Sequence, residues 1–299
     1  MLLALAAVLT AVAIELFLTW RQYGFGKIKD GSAAASALVL VLLLPNQIYP
    51  MYAAFAAAFA IAVVKFSFGG LGSNWLNPAL GGWIFIRFSW PAAFSRALEH
   101  SPYYTGELWG AAPAGSFDIA LTSFLNRNLF AFAGADLPSG YFELLYARGP
   151  GFIADRGILA LLIGSILLSA LRVSRFYIPV VFLFVFGLLT RIFGDLPFGG
   201  QFWSGDILWG FFSGGTIAAA FILAAEPVSG AKTKYGALAL VTAAAVLAWI
   251  FRYFALDYFG VFTALAFANC LTPLVRFAEG KFFLGAQAAS LSAAAKEAS

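Results

Sequence analysis

The chain has 299 residues, of which 62% are hydrophobic and 11% are charged, and its formal net charge is +4. A soluble domain carries about 25% charged residues, so most of this surface cannot face water, and the modest positive charge gives no signal for nucleic-acid binding. A single cysteine, Cys270, and a single histidine, His100, exclude a four-cysteine iron–sulfur site and a bis-histidine haem. We therefore expect no protein-held metal, and an electron carrier in this chain would have to be organic, such as a flavin or a quinone.

Long apolar stretches recur along the chain, and a stretch of about 20 apolar residues crosses a bilayer as a helix. Because backbone amides in lipid must be paired within their own segment, these stretches predict an all-α integral membrane protein. Nine transmembrane helices are predicted, at 2–20, 32–45, 51–67, 78–98, 157–173, 176–193, 207–225, 235–253 and 258–275. The first stretch lacks the early positive region and the small-residue cleavage site of a signal peptide, so we expect it to be retained.

Lysine and arginine residues concentrate on one side of the predicted membrane when the loop 21–30 is placed in the cytoplasm. That side then holds Lys27, Lys29 and Lys232, whereas Arg127 lies on the outer side. We therefore expect a multi-pass protein of the cytoplasmic (inner) membrane, with its N-terminus outside and its C-terminus in the cytoplasm.

The predicted helices divide the chain into four regions. They are a first membrane half at 1–98, an outer loop at 99–156, a second membrane half at 157–282 and a flexible C-terminal tail at 283–299. The outer loop is too aromatic and apolar for a solvated linker, so we expect part of it to associate with the membrane.

Two parts of the sequence resemble each other. Asp30-Gly31-Ser32 and Ser213-Gly214-Gly215-Thr216 each open an apolar helix rich in small residues, and each helix is followed by a second one. The second helices lead to Asn74–Pro78 and Asn269–Pro273, which share the pattern Asn-x-Leu-(Asn/Thr)-Pro. The copies enter the predicted membrane from opposite sides, which indicates an inverted-topology repeat with a polar site between its halves. The alternative is that apolar helices punctuated by glycine and proline simply look alike.

The glycine-rich segment before the fourth predicted span combines Gly70 and Gly72 with Asn74 and Asn77. Glycine permits close backbone approach, and an asparagine amide both donates and accepts hydrogen bonds. Irregular backbone at membrane depth is tolerated where it is buried in protein or lines a cavity. The segment therefore reads either as a ligand-binding site or as a tight turn with self-capping asparagines.

Charged residues inside predicted spans are candidates for function because they are costly in lipid. Glu15 lies within two helical turns of Arg21, which favours local pairing or extension of the side chain to the surface, and Lys65 can reach the same surface. Arg87 lies in the middle of a span and requires a carboxylate or a phosphate as its partner.

These motifs together resemble the NqrB/RnfD family, the membrane subunits of sodium-pumping NADH:quinone reductase and of the Rnf ferredoxin:NAD complex. The first half carries the resemblance in KIKDGSAAASALVLVLLLP and AAFAIAVVKFSFGGLGSNWLNPALGG, and the second half carries it in SGGT and EPVSG. The resemblance implies a ten-helix, urea-transporter-like fold of two inverted halves. It also implies bound flavins that pass electrons toward quinone or toward partner subunits.

The resemblance also implies roles for particular residues. Asn74 and Asn77, with the adjacent glycines, would hold a flavin or quinone headgroup. The polar seam between the halves would be lined by Asp30, Ser32, Ser213, Thr216 and Glu226.

The sequence departs from the family pattern at two points. It begins at what would be the family's second helix, and the outer loop lacks the Ser-Gly-Ala-Thr string whose threonine is esterified to FMN in the family. Thr122 lies in about the right place for a covalent FMN, although a rival alignment puts Ile119 there, which has no oxygen to form the ester.

Two functions follow from these observations. The first is a membrane subunit of an ion-translocating Rnf/Nqr-type complex that holds FMN, or riboflavin or quinone, with the other subunits and the lipid bilayer as partners. The second is a transporter or channel for a small polar solute, or for flavin, that uses the cavity of the inverted repeat.

Overall fold

The computed structural model describes residues 1–23, 30–67, 74, 76–99, 115–130, 139–146, 151–171, 174–226, 230–255 and 257–297. Within these ranges the regular structure is helical, and the only extended pairing is an isolated bridge between Pro45 and Phe152. The expected all-α class is confirmed for this part of the chain.

The helices before residue 150 form two groups. The first group comprises α1 (Leu2–Tyr23), α2 (Ser32–Leu42), α3 (Pro50–Phe59, continued by a π-helical segment at Ala60–Lys65), α4 (Pro78–Ser89) and α5 (Pro91–Glu99). The second group lies in the predicted outer loop and comprises α6 (Ser116–Leu125, continued by a π-helical segment at Asn126–Phe130) and α7 (Tyr141–Leu145).

The second part of the chain begins with a 3₁₀ turn at Ala154–Gly157. It continues with α8 (Ile158–Ala170), α9 (Tyr177–Phe193), a 3₁₀ turn at Leu196–Phe198, α10 (Ile207–Phe212), α11 (Thr216–Ala218, continued by a π-helical segment at Ala219–Leu223), α12 (Lys234–Trp249, continued by a π-helical segment at Ile250–Phe254) and α13 (Gly260–Glu297).

Four helices in the described ranges are long and apolar enough to cross a membrane, at Leu2–Trp20, Tyr177–Phe198, Lys234–Phe254 and Gly260–Phe282. Two shorter apolar helices accompany them, at Ser32–Leu42 and Pro50–Lys65. Large apolar side chains such as Phe17, Ile163 and Phe184 are exposed on the outside of the molecule, as expected where lipid replaces water. The chain is a multi-pass membrane protein.

Two predicted spans are not continuous helices, and the prediction was wrong there. The helix expected at 78–98 is interrupted at Trp90, because Pro91 disfavours the α conformation of the residue before it. The helix expected at 207–225 is interrupted at Ser213–Gly215, where Gly214 and Gly215 have φ angles of +63° and +75°. Hydropathy sums over a window and therefore does not register a break within an apolar run.

Small residues allow the helices of the first part to pack closely. Ala53, Ala56 and Ala57 of α3 are fully buried, and a Cβ added to Gly82 of α4 would lie 2.4 Å from the Ala56 carbonyl oxygen. Helix packing without a water-driven hydrophobic force relies on such close backbone approach. The two helices therefore form a rigid pair that fixes the start of α4.

An aromatic cluster joins the first part of the chain to the second. Trp83 of α4 lies 5.4 Å from Phe262 of α13, measured between ring centroids, and Phe94 of α5 lies 5.4 Å from Phe259. Phe152, which precedes α8, lies 4.6 Å from Phe262. Edge-to-face pairs of this kind contribute beyond the area that they bury, so the cluster holds the two parts together.

Candidate functional site

Two buried basic side chains organise the polar interior of the protein. Lys65 lies at the end of the π-helical segment that follows α3, and Arg252 lies in the π-helical segment that follows α12. Their side chains are 3% and 0% exposed. A charge buried this deeply in a membrane protein needs paired groups around it, and each of these has them.

The lysine cluster consists of Glu15, Asp30, Ser32 and Lys65. The Lys65 ammonium nitrogen lies 2.6 Å from Glu15 Oε1 and donates to Ser32 Oγ at 2.5 Å. The Ser32 hydroxyl in turn donates to Asp30 Oδ1 at 2.7 Å. The chain of hydrogen bonds therefore ties α1, the start of α2 and the end of α3 together.

The predicted behaviour of Glu15 and Lys65 was wrong. Glu15 is 2% exposed and pairs with Lys65, 50 residues away, rather than with a local partner, and Lys65 does not reach toward the surface. The reason is that α1 packs directly against α3, which brings two charges together that sequence distance keeps apart.

The arginine cluster consists of Asp155, Ser213, Thr216 and Arg252. Arg252 Nη1 donates to the Ser213 carbonyl oxygen at 2.6 Å and to Thr216 Oγ1 at 2.7 Å, and Nη2 donates to Ser213 Oγ at 2.6 Å. Asp155 Oδ1 accepts from the Gly215 backbone N–H at 2.8 Å. The cluster thus fixes the break between α10 and α11, and it brings Ser213 and Thr216 together within the second part of the chain.

Sequence reasoning did not single out Arg252 or Asp155. Arg252 stands in the string Phe-Arg-Tyr-Phe, which reads as an aromatic belt at the membrane surface, yet its guanidinium lies 4.8 Å from the buried Trp209 ring. The signal that could have identified it is a charged residue inside an otherwise apolar predicted span.

The two clusters share one local design. Gly31 and Gly215 have left-handed φ angles of +66° and +75°, and each directly precedes the hydroxyl residue that opens a helix. In each cluster a basic side chain from a π-helical segment donates to that hydroxyl residue, Ser32 or Thr216. The lysine and arginine clusters are therefore counterparts in the two parts of the chain.

The asparagine turn before α4 links the two parts directly. Asn77 Oδ1 accepts from the backbone N–H of Ala79 at 2.9 Å and of Leu80 at 3.2 Å, which makes Asn77 the N-cap of α4. Its Nδ2 donates to Glu226 Oε2 at 2.5 Å, across 149 residues of sequence. Asn77 therefore both caps α4 and contacts the second part of the chain. The first role agrees with a tight turn and the second with a ligand-binding site.

The other residues of that segment are less informative. Asn74 is buried, and its Nδ2 donates to the Leu76 carbonyl oxygen at 3.1 Å. The predicted binding residues Gly70 and Gly72 lie outside the described residues.

A cavity lies on the Glu226 side of this contact. Arg175, Glu226 and Asn269 contribute its polar lining, and Leu223 and Leu240 belong to its apolar walls. The cavity therefore combines a cation, a carboxylate and an amide with an apolar interior.

Arg87 pairs with a carboxylate. Its Nη2 lies 3.5 Å from Asp257 Oδ1, and its guanidinium lies 5.0 Å from the Phe259 ring centroid and 5.7 Å from that of Phe94. Of the two partners that the sequence left open, a carboxylate occupies the place. The pair is one quarter exposed on each side, so it lies at the edge of the interior.

Thr122 lies on the inner face of α6. Its side chain is buried, and its hydroxyl has no hydrogen-bond partner in the described part of the chain. One turn earlier, the buried Asp118 carboxylate accepts from the backbone N–H groups of Gly140 and Phe142 and so anchors α6 to the start of α7. Ile119, the rival position, is half exposed.

The chain matches the model of the NQR2, RnfD, RnfE family over residues 1–282. It is 28% identical over 271 residues to the D-type subunit of a proton-translocating ferredoxin:NAD(+) oxidoreductase complex of Clostridium ljungdahlii, and the match covers 91% of this chain and 80% of the relative. It is 29% identical over 287 residues to the D-type subunit of an ion-translocating oxidoreductase complex of Alcanivorax borkumensis, covering 90% and 79%. The corresponding protein of Marinobacter nauticus is 30% identical over 245 residues, covering 75% and 66%.

The Glu15–Lys65 ion pair can be tested by a double-mutant cycle. We expect Glu15→Gln to destabilise the protein by about 3–5 kcal/mol, because removing one partner leaves an uncompensated buried charge. The double variant Glu15→Gln/Lys65→Gln should recover part of that loss, since both charges are then gone. Thermal unfolding of the detergent-solubilised protein measures both, with the exposed Glu99→Gln as the control. A double variant whose loss equals the sum of the losses of Glu15→Gln and Lys65→Gln would contradict a coupled pair.

Proposed function

The chain belongs to the NQR2, RnfD, RnfE family, and from that premise we infer that it is a membrane subunit of an ion-translocating oxidoreductase complex of the Rnf type. The relatives are the D-type subunits of such complexes. The protein therefore works together with the other subunits of the complex and contributes to electron transfer only in their company. We further propose that it holds an organic electron carrier, a flavin or a quinone, in the inner membrane.

The contact between Asn77 and Glu226 is the observation that carries this proposal. It joins the N-cap of a helix in the first part of the chain to a carboxylate in the second part. Flavin and quinone rings present carbonyl and N–H groups at their edges, which an amide and a carboxylate can pair with. The adjacent cavity has apolar walls but an open volume of only about 30 Å³, so it has to widen when the flat face of such a ring packs against it.

Arg175 gives the cavity a positive charge that suits a negatively charged carrier. Its guanidinium lines the cavity beside Glu226, and a guanidinium stabilises a phosphate or a reduced, anionic ring. This environment suits FMN, riboflavin or quinone.

We also propose that the two parts of the chain are inverted repeats of the urea-transporter type, as the resemblance implied. The paired lysine and arginine clusters support it, and so does the antiparallel crossing of α4 and α13. Along α4 the chain runs from Trp83 to Arg87, and their partners run in the opposite direction, from Phe262 in the first turn of α13 to Asp257 just before it.

One motif of the repeat is not in equivalent positions. Asn77 and Pro78 open α4, whereas Pro273, in the matching sequence motif, lies inside α13. The repeat that we propose therefore rests on the clusters and the helix crossing rather than on this motif.

The second candidate function, a transporter for a small polar solute or for flavin, is favoured by one observation. The helix break at Ser213–Gly215 places hydroxyl groups and a buried arginine inside an apolar segment, and discontinuous helices form substrate sites in transporters. The visible absorption spectrum of the purified chain discriminates a redox subunit from a transporter for another polar solute, because only the redox subunit retains a flavin with reversible bleaching.

The carrier site can be tested at Asn77. Asn77→Ser keeps an N-capping oxygen for α4 but is too short to reach Glu226. A buried hydrogen bond left unmade costs about 1–3 kcal/mol, so we expect roughly tenfold weaker retention of a noncovalent flavin or quinone in the purified complex. Cofactor released by acid precipitation measures it. The exposed Asn128→Ser is the matched control, and full cofactor content in Asn77→Ser would reduce Asn77 to a turn former.

Covalent attachment of FMN at Thr122 is a separate prediction. Attachment requires an oxygen that forms an ester with phosphate, so Thr122→Val keeps the shape of the side chain and removes the reacting atom. We expect an FMN adduct in the intact mass of the wild-type chain and none in the variant, with the exposed Ser123→Ala as the control. Because the Thr122 hydroxyl is buried, attachment also requires α6 to turn its inner face outward. An unmodified wild-type mass, from cells that contain the attaching enzyme, would rule out the covalent link.

The proposed orientation places the C-terminus in the cytoplasm and α7 outside. In a Cys270→Ser background, Ser139→Cys should react with a membrane-impermeant maleimide in whole cells, and Lys232→Cys should react only after the cells are opened. Both side chains are exposed, so access to the reagent depends on the side of the membrane. The reverse labelling pattern would invert the orientation.

A further inference from the structure

Asp155 carries a buried carboxyl group of which only one oxygen accepts a hydrogen bond in the described part of the chain. It lies in the 3₁₀ turn before α8 and is 4% exposed. Its Oδ1 accepts from the Gly215 backbone N–H, whereas Oδ2 is buried and has no hydrogen-bond partner in the described part of the chain. A buried acceptor left unsatisfied costs about 1–3 kcal/mol, and more if it is charged. A proton on Oδ2 removes the charge.

Charged and titratable groups lie on several elements around Asp155. They are Arg156 of the same 3₁₀ turn, Tyr141 and Glu143 of α7, Arg252, and Tyr258 before α13, and α8 and α11 carry none. The two terminal nitrogens of Arg252 donate to Ser213 and Thr216, whereas its Nε has no hydrogen-bond partner in the described part of the chain. Its positive charge acts on the Asp155 carboxyl through space.

Burial is the largest influence on this group. It raises the pKa of Asp155 to about 7, although the Gly215 N–H and the Arg252 charge act in the opposite direction. The pKa rises because desolvation disfavours the ionised form of a carboxyl group. Tyr258 remains a neutral phenol beside it, because burial also raises the pKa of that hydroxyl.

The counterpart carboxylate in the lysine cluster is held differently. Glu15 lies 2.6 Å from the Lys65 ammonium, whereas Asp155 accepts from a neutral backbone amide. The two clusters therefore share a geometry and differ in whether their acid has a direct cationic partner.

The backbone of Gly151 packs closely against the free oxygen. Gly151 has a φ of +128°, and a Cβ added there would lie 2.9 Å from Asp155 Oδ2 and 3.1 Å from Tyr258 Oη. Only glycine therefore fits at this position, and both oxygens lie against it.

We propose that Asp155 is a proton-binding site of the arginine cluster, which takes up a proton on Oδ2 while Oδ1 keeps its hydrogen bond to Gly215. In that step a proton from water adds to the carboxylate to give the neutral acid, and the charge of the Asp155–Arg252 pair rises from zero to +1. Release of the proton reverses it. This proposal rests on the proposed function and extends it. It gives a subunit of an ion-translocating complex a carboxyl group, at the helix break between α10 and α11, whose charge changes when it binds a proton.

The protonation of Asp155 can be measured directly on the full chain in detergent micelles. The chain is labelled with aspartate enriched in ¹³C at the side-chain carboxyl, and the carboxyl resonances are followed by NMR from about pH 5 to about pH 9, a range in which an ordinary aspartate stays ionised. The resonance of Asp155 is identified as the one missing from Asp155→Asn. If that variant does not fold, Asp155→Glu removes the label and keeps the carboxyl group.

We expect the Asp155 resonance to titrate with a midpoint near 7. An Asp155 resonance that stays ionised over the whole range would overturn the proposal. Flavin content, measured separately on the purified complex, tests the proposed function, because loss of a carrier would leave the titration of Asp155 unchanged.

Discussion

The structure depends on the hydrogen-bonding of two basic side chains within an apolar helical protein. Lys65 and Arg252 are both almost fully buried, and an unpaired charge in such surroundings costs far more than the net stability of a folded domain. Each is satisfied by groups at the first turn of another helix. The N-termini of α2 and α11 are therefore stabilised by the two basic side chains.

The polar contacts between the two parts of the chain follow from those breaks. Asn77 can cap α4 and still reach Glu226 because the chain before α4 is not helical at that point. At the other end of α4, Arg87 meets Asp257, which lies just before α13. Polar side chains thus mark both ends of the crossing of α4 and α13, and the aromatic cluster around Trp83 and Phe262 fills the space between them.

This arrangement separates two tasks that a redox subunit of an ion-translocating complex has to combine. The Asn77–Glu226 contact and its cavity offer polar groups to a flat organic ring. The arginine cluster, by contrast, surrounds an acid without a direct cationic partner in the described part of the chain. The proposed carrier site and the proposed proton site thus lie at the ends of different helices.

The sequence by itself determined the membrane class, most of the helices and the family. These depend on composition, apolar length and local motifs. Only the tertiary structure decided that Lys65 pairs with Glu15, that Arg252 holds Ser213 and Thr216, and that Asp155 has a free oxygen. The tertiary structure also decided that the predicted helices are interrupted at Trp90 and at Ser213–Gly215. The physical reason is that hydropathy and helix signals are local. The partner of a buried charge, by contrast, is chosen by packing between helices that lie tens of residues apart in the sequence.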